Sequence, residues 1–239
     1  MKIEVGLMHF ETLNRIIRES SETYIHLENC IGQRYIGSGI SGKQIEIVGT
    51  PGNALGAYLD GSKICVYGNT QEATGDTMNE GTIIIHGSAG DGTGYAMRGG
   101  KIFVKGDAGY RAGIHMKAYK EKAPSLVIGG RAGSFLGEYQ AGGTIVVLGL
   151  GEQTVPVGNF CGTGMHGGKI YIRSNTPPQN LANQILVEKA TEEDLLAIRS
   201  LIEEFTTVFE VDEATIYDEP FYVLTPDTKN PYRQLYTHY

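Results

Sequence analysis

The sequence predicts an all-β fold: a single-stranded right-handed parallel β-helix of about 19 residues per turn and seven to eight turns, with short helices at both ends. Three observations lead there. A strand motif recurs at a fixed interval, a glycine column recurs in the same register, and no helical pattern lies between successive copies.

The strand motif is seen by aligning "KQIEIVG", "SKICVYG", "GTIIIHG", "GKIFVKG", "SLVIGG", "GTIVVLG" and "GKIYIRS". Their first core residues are Ile45, Ile64, Ile83, Ile102, Leu126, Ile145 and Ile170, at steps of 19, 19, 19, 24, 19 and 25. Each I-x-V alternates and is β-branched, so it reads as a short strand that pairs in parallel with its equivalent one repeat on. The glycine column is Gly56, Gly75, Gly94, Gly113, Gly137 and Gly162, with Met78, Met97, Met116 and Met165 also at one shared point. These glycines are structural: tight corners need φ > 0, and neighbouring repeats approach too closely for a side chain. Right-handedness is the rule for parallel crossovers. Leucine-rich and calcium-binding repeats are excluded because their signature columns are missing.

In chain order, residues 1–23 form an N-terminal cap whose "HFETLNRIIRES" is a short helix closing the first repeat. Residues 24–174 carry the repeats, beginning with "YIHLEN" as an eighth, weaker copy. Their outer two strand residues face inward, and the middle one faces out. Down the stack the outward residues are Glu46, Cys65, Ile84, Phe103, Val127, Val146 and Tyr171. The five from Ile84 to Tyr171 make an apolar stripe, a candidate partner-facing surface. Residues 175–190 are a linker in which Pro177 and Pro178 oppose helix formation. Residues 191–205 form an amphipathic helix with Leu195, Ile198, Ile202 and Phe205 on one face, opened by a Thr191/Asp194 capping box. It is expected to cover the apolar stripe; capping one end of the stack, or a partner protein on the stripe, are the alternatives. Residues 206–239 form a docking tail bearing Phe209, Tyr217, Phe221, Tyr222, Tyr232, Tyr236 and Tyr239.

Composition narrows the function. Glycine, 34 of 239 residues, is about twice its usual share of roughly 7%, which suits a turn-dense fold. A net charge of −7 argues against nucleic-acid and membrane-surface partners. Cys30, Cys65 and Cys161 are odd in number and far apart, so they read as reduced, buried thiols. The start "MKIEVGLMHF" lacks a secretory apolar core and no run reaches membrane-spanning length, so a cytoplasmic location is expected.

Motifs that imitate chemistry dissolve into the repeat. "GDGTGYAMRGG" (90–100), "GSGISG" (37–42) and "GTGMHG" (162–167) resemble phosphate loops, yet none follows a strand and opens a helix. His86, His115 and His166 fall in different columns, too far apart for one metal ion. No nucleophile–base arrangement is visible, so no catalytic, cofactor-binding or metal-binding residue is assigned. The insertions in "RAGIHMKAYKEKAP" (111–124) and "GLGEQTVPVGN" (149–159) project as loops, with Arg98, Arg111, His115, Lys117 and Glu138 near the first.

The copies "GSAGDGTGYAMRGGKIFVKG", "GDAGYRAGIHM" and "GNFCGTGMHGGKIYIR" resemble the GXGXG domain family over about residues 29–173. That domain is the C-terminal β-helix of the glutamate synthase large subunit and also occurs as a separate subunit of formylmethanofuran dehydrogenase. The helix "EEDLLAIRSLIEEF" and the aromatic stretch after it resemble the synthase version more. The resemblance implies a free-standing, non-catalytic scaffold subunit of a split glutamate synthase, which makes glutamate from glutamine and 2-oxoglutarate. It would space an amidotransferase subunit from an FMN and iron–sulfur subunit, and those cofactors would sit on the partners. A scaffold of a formyl-transferring or other redox complex is the alternative, and a carbohydrate-active β-helix a weaker one. Self-association stays open.

Overall fold

A computed structural model describes residues 1–227; the tail tyrosines Tyr232, Tyr236 and Tyr239 lie outside the described residues. The chain runs β1 (Lys2–Glu4), α1 (Phe10–Glu19), β2 (Tyr24–Ile31), β3 (Gln44–Thr50), β4 (Asp60–Tyr67), β5 (Glu80–Ile85), β6 (Lys101–Val104), β7 (Ser125–Ile128), β8 (Ala141–Val147) and β9 (Gly167–Arg173). It ends with β10 (Ile185–Lys189), α2 (Glu192–Phe209), α3 (Glu213–Ile216) and β11 (Phe221–Pro226).

These strands form one eleven-stranded sheet in the order β1-β2-β3-β4-β5-β6-β7-β8-β9-β11-β10. From β1 to β9 all neighbours are parallel, whereas β11 lies antiparallel to both β9 and β10. This corrects the expected all-β, single-stranded right-handed parallel β-helix. The architecture shown is a single, mostly parallel sheet carrying helices, an α/β-type arrangement. The repeat interval determines which residue pairs with which, and no more than that. Between the strands it yields turns joined by isolated bridges (Thr70, Ala89, Ala108, Ala132 and Val157 in succession) rather than further strands. The last two strands fall outside the repeat, and of these β11 alone runs against the others.

The register follows the repeat: Ile45, Ile64, Ile83, Ile102, Leu126, Ile145 and Ile170 are partners in succession, and Ile25 precedes them. One sheet face and the connections enclose the larger core. Each step contributes two strand residues such as Ile102 and Val104, and the connections add Leu55, Leu136, Cys161, Met78, Met97 and Met116, all fully buried. A fully buried Ile or Met side chain is worth about 1.5–3 kcal/mol, and here that gain repeats at every step. Leu13 and Ile17 of α1 join the same core. β1 ahead of α1, and β10 within the stretch read as linker, are strands the alternation did not reveal.

The opposite sheet face builds a second core. Ile84, Phe103, Val127, Val146 and Tyr171 lie buried against Ile198, Leu201, Ile202, Phe205 and Phe209 of α2. The helix begins over β9, where Lys169 Nζ donates to Asp194 Oδ1 at 2.7 Å, and reaches back to β6, where Lys101 pairs with Glu204. Beyond it, Phe209 meets His86 edge-on at 5.2 Å and His86 stacks on Tyr67 at 4.7 Å. Where this cover stops the face turns polar: His26 sits between Glu28 and Glu46, and the Tyr24 hydroxyl donates to Glu46 at 2.5 Å. Among the described residues, no helix is long and apolar enough to cross a membrane.

Candidate functional site

The connections opposite the sheet share one backbone. In each repeat three residues, spaced by two, adopt positive φ: Ala54, Gly56 and Tyr58; Ala73, Gly75 and Thr77; Arg111, Gly113 and His115; Phe135, Gly137 and Tyr139. The middle residue is the glycine column, with φ of 63, 72, 74, 68, 63 and 73° from Gly56 to Gly162, and Gly37 extends it at 70°. The amides alternate in direction. The outer two donate to the next connection (Ala54 N–H to Glu72 O at 2.9 Å, Tyr58 N–H to Asp76 O at 2.7 Å), and the middle one donates back (Gly56 N–H to Ile36 O at 2.8 Å). The connections are thus laced into a second hydrogen-bonded wall.

Left-handed backbone sets a preference at the outer positions. An L residue there costs roughly 1–2 kcal/mol, and a bulky one is uncommon. Ala54, Ala73 and Gly92 in the first outer column and Ala96 in the second suit this, whereas Tyr35 in the first and Tyr58 and Thr77 in the second do not. The last three repeats concentrate large side chains there. Arg111, Phe135 and Phe160 occupy the first column, and His115 and Tyr139 the second.

These side chains stack on one another at the surface. Phe135 and Phe160 lie 5.2 Å apart, and the Arg111 guanidinium caps Phe135 at 5.0 Å. His115 stacks on Tyr139 at 5.1 Å with planes 12° apart, and Tyr95 meets His115 edge-on at 5.9 Å. Arg111 is fixed by its Nε donating to the buried Glu138 carboxylate at 2.8 Å. Gly164 takes the outer position beside Tyr139, and any Cβ there would strike the tyrosine ring. Tyr95, Tyr139 and Phe160 remain 41%, 45% and 51% exposed. The result is a surface ridge of stacked rings with the Arg111 guanidinium at one end.

Other sequence candidates fall elsewhere. The stripe Ile84, Phe103, Val127, Val146 and Tyr171 lies beneath α2 of the same chain. His86 is held against Tyr67 and Phe209, where burial, then Lys105, lowers its pKa; His115 belongs to the ridge, and His166 sits beside Gly164, its ring Nδ1 3.1 Å from that carbonyl. Among the described residues, no group of three or more His, Cys, Asp or Glu could hold a metal ion. All three thiols are buried, and burial pushes those of Cys30 and Cys161 up to about 12. An open groove of about 420 Å³ between α1 and Tyr35 is bridged by Arg18, which donates to Ser38 O at 3.0 Å. The first insertion closes as a tight turn with a Tyr119–Lys122 bridge. Phe135, Tyr139 and Phe160 were not singled out from the sequence, although they stand two residues either side of column glycines. Only the backbone conformation gives that offset its meaning.

An uncharacterised protein of Methanocaldococcus jannaschii is 47% identical over 249 aligned positions, covering 98% of this chain and 95% of its own. Among solved structures, a chain of the formyltransferase/hydrolase complex of Methylorubrum extorquens, crystallised with methylofuran, superimposes with a TM-score of 0.65. That match covers 88% of this chain and 76% of the other at 21% identity, and so establishes a shared fold. The signature of the family described as GXGXG motif matches residues 13–223, and the chain belongs to that family.

Proposed function

We propose that this chain is a non-catalytic scaffold subunit of a multi-subunit complex, and that the complex is a split glutamate synthase. The observation that carries the scaffold reading is the ridge of exposed, stacked rings on left-handed backbone. It is a costly surface to maintain unless something binds it. It stands on a wall hydrogen-bonded from one connection to the next, a rigid base for holding other subunits at fixed separation. The choice of glutamate synthase rests on the repeat motif together with the capped helix α2 and the aromatic residues that follow it. In this reading glutamine hydrolysis belongs to an amidotransferase subunit, and glutamate formation to a subunit carrying FMN and iron–sulfur clusters.

A second reading, a scaffold in a formyl-transferring complex, is favoured by the fold shared with a chain of the formyltransferase/hydrolase complex. Isolation of the tagged chain from its native source separates the two. Recovery of an amidotransferase and an FMN and iron–sulfur protein is the expected result; recovery of a formyl-transferring enzyme supports the second reading. Polysaccharide turnover by the pure chain would overturn both.

A further inference from the structure

We infer that the open edge of β10 is a self-association surface, on which a second copy of this chain adds its own β10 antiparallel about a two-fold axis. The two ends of the molecule are closed differently. At the β1 end, α1 plugs the large core with the buried Leu13 and Ile17. At the β10 end, Leu181, Ile185 and Val187 pack on that core but stay only partly buried, while α2 and α3 lie against the other sheet face. A stack of repeats needs a cover at each end. Among the described residues β10 pairs with β11 alone, and the register shows which backbone groups are left over. Asp227 N–H donates to Gln184 O at 2.7 Å and Ala190 N–H to Phe221 O at 2.8 Å, so Gln184, Leu186, Glu188 and Ala190 face β11. The N–H and C=O groups of Val187 and Lys189 therefore point to the open edge, as does Ile185 O; the Ile185 N–H is taken by Ala182 O at 3.0 Å.

This edge is complementary to itself. Antiparallel pairing centred on Val187 sets Val187 opposite Val187, Leu186 opposite Glu188 and Ile185 opposite Lys189. The two Val187 residues then exchange hydrogen bonds, and Lys189 N–H of each copy meets Ile185 O of the other. No charge faces its own kind in this register, because Glu188 lies across from Leu186, which is 47% exposed in the single chain. Parallel addition would instead set Glu188 on Glu188 and Lys189 on Lys189, a destabilising arrangement. The axis stands perpendicular to the sheet, so Ile185 and Val187 of both copies share one face and the two large cores meet across the junction. The chain leaves β11 at Asp227, on the side of β10 away from the edge. Covering the edge with the same chain requires a crossing over β10, whereas a second copy needs none. Two-fold pairing uses up both edges and closes at two copies.

The direction of the Val187 amide separates association from folding. Val187→Pro removes the central donor of the open edge but no bond of the β10–β11 ladder, a position where a strand tolerates proline. Sedimentation of the full-length chain alone should show a species of twice the chain mass. Val187→Pro should raise its dissociation constant at least tenfold and leave the far-ultraviolet circular dichroism unchanged. Val187→Cys keeps the strand and sets two thiols opposite each other, so mild oxidation should join two chains; Leu186→Cys, which faces Glu188, should stay unjoined. If the Pro variant loses its folded spectrum, the two cysteine variants decide alone. The surface is overturned if the wild type sediments as a monomer, if the Pro variant is folded and still dimeric, or if the two cysteine variants oxidise alike. In a monomer, slow hydrogen exchange at the Val187 amide would show the edge covered from within the chain.

Discussion

Gly56 and Gly94 occupy the same column with nearly the same backbone, φ of 63° and 74°, but different surroundings. A Cβ on Gly56 would lie 2.7 Å from Ile83 Cδ1, whereas on Gly94 the nearest atom is Met97 Sδ at 3.1 Å, because Leu126 replaces isoleucine in the facing strand. Gly94→Ala therefore meets mainly the conformational penalty, about 1–2 kcal/mol. Gly56→Ala adds overpacking against a fully buried side chain, a further 1–3 kcal/mol or so. Urea unfolding of the two variants should rank them in that order; equal losses would show that close approach contributes nothing. The need for glycine was legible in the sequence from the column alone. The clash that makes one glycine stricter than another was not, since it depends on a rotamer one repeat away.

α2 shows how far an element can be read in advance. The spacing of Leu195, Ile198, Ile202 and Phe205 gave its buried face, and the Thr191/Asp194 box is formed, with Asp194 N–H donating to Thr191 Oγ1 at 3.2 Å and Thr191 N–H to Asp194 Oδ2 at 3.1 Å. Lys169, hydrogen-bonded to the Asp194 carboxylate, draws its pKa below the usual range, so the contact is one of ions at neutral pH. The helix extends beyond Phe205 to Phe209, a turn further than its apolar spacing suggested, because Phe209 finds Phe205 at 4.7 Å and the His86 edge. Phe205 is fully buried between the helix and the sheet, so Phe205→Ala should cost about 3–5 kcal/mol. Thr191→Ala, losing only a cap, should cost about 1 kcal/mol. Chemical denaturation of both variants checks the ratio. From the sequence the outward stripe is the expected seat of this helix, and a partner surface stays the alternative because burial by one's own chain or by another leaves the same apolar column.

At the scale of the whole molecule the period of 19 gave the strand register from Ile45 to Ile170, because equivalent residues in a parallel stack are partners by construction. The class of the fold was misread at the end of the chain. Phe221–Pro226 has no counterpart in the repeat, so nothing in its alternation announces that it inserts between β9 and β10 with reversed polarity. Buried thiols give the assembled core a pH signature. Cys161 and Cys30 are raised from about 9 to about 12 by burial alone. Below about pH 9 both states are protonated and the core is fully stable; above it the unfolded chain ionises first, so stability falls between about pH 9 and 12. The urea midpoint should drop from pH 8 to about 10.5, and a Cys30→Ala/Cys161→Ala variant should flatten that slope.

The two strands outside the repeat have one more consequence. A parallel stack whose every layer resembles the last is its own template: an exposed end invites another layer, from this chain or a neighbour, and growth need never stop. At one end β1 has only three residues, two of them charged, and α1 plugs the core with Leu13 and Ile17. At the other, the reversed β11 breaks the series, and the outermost strand, β10, has five residues, ends in Glu188 and Lys189, and lies outside the repeat. A protein built by repetition thereby acquires a defined length.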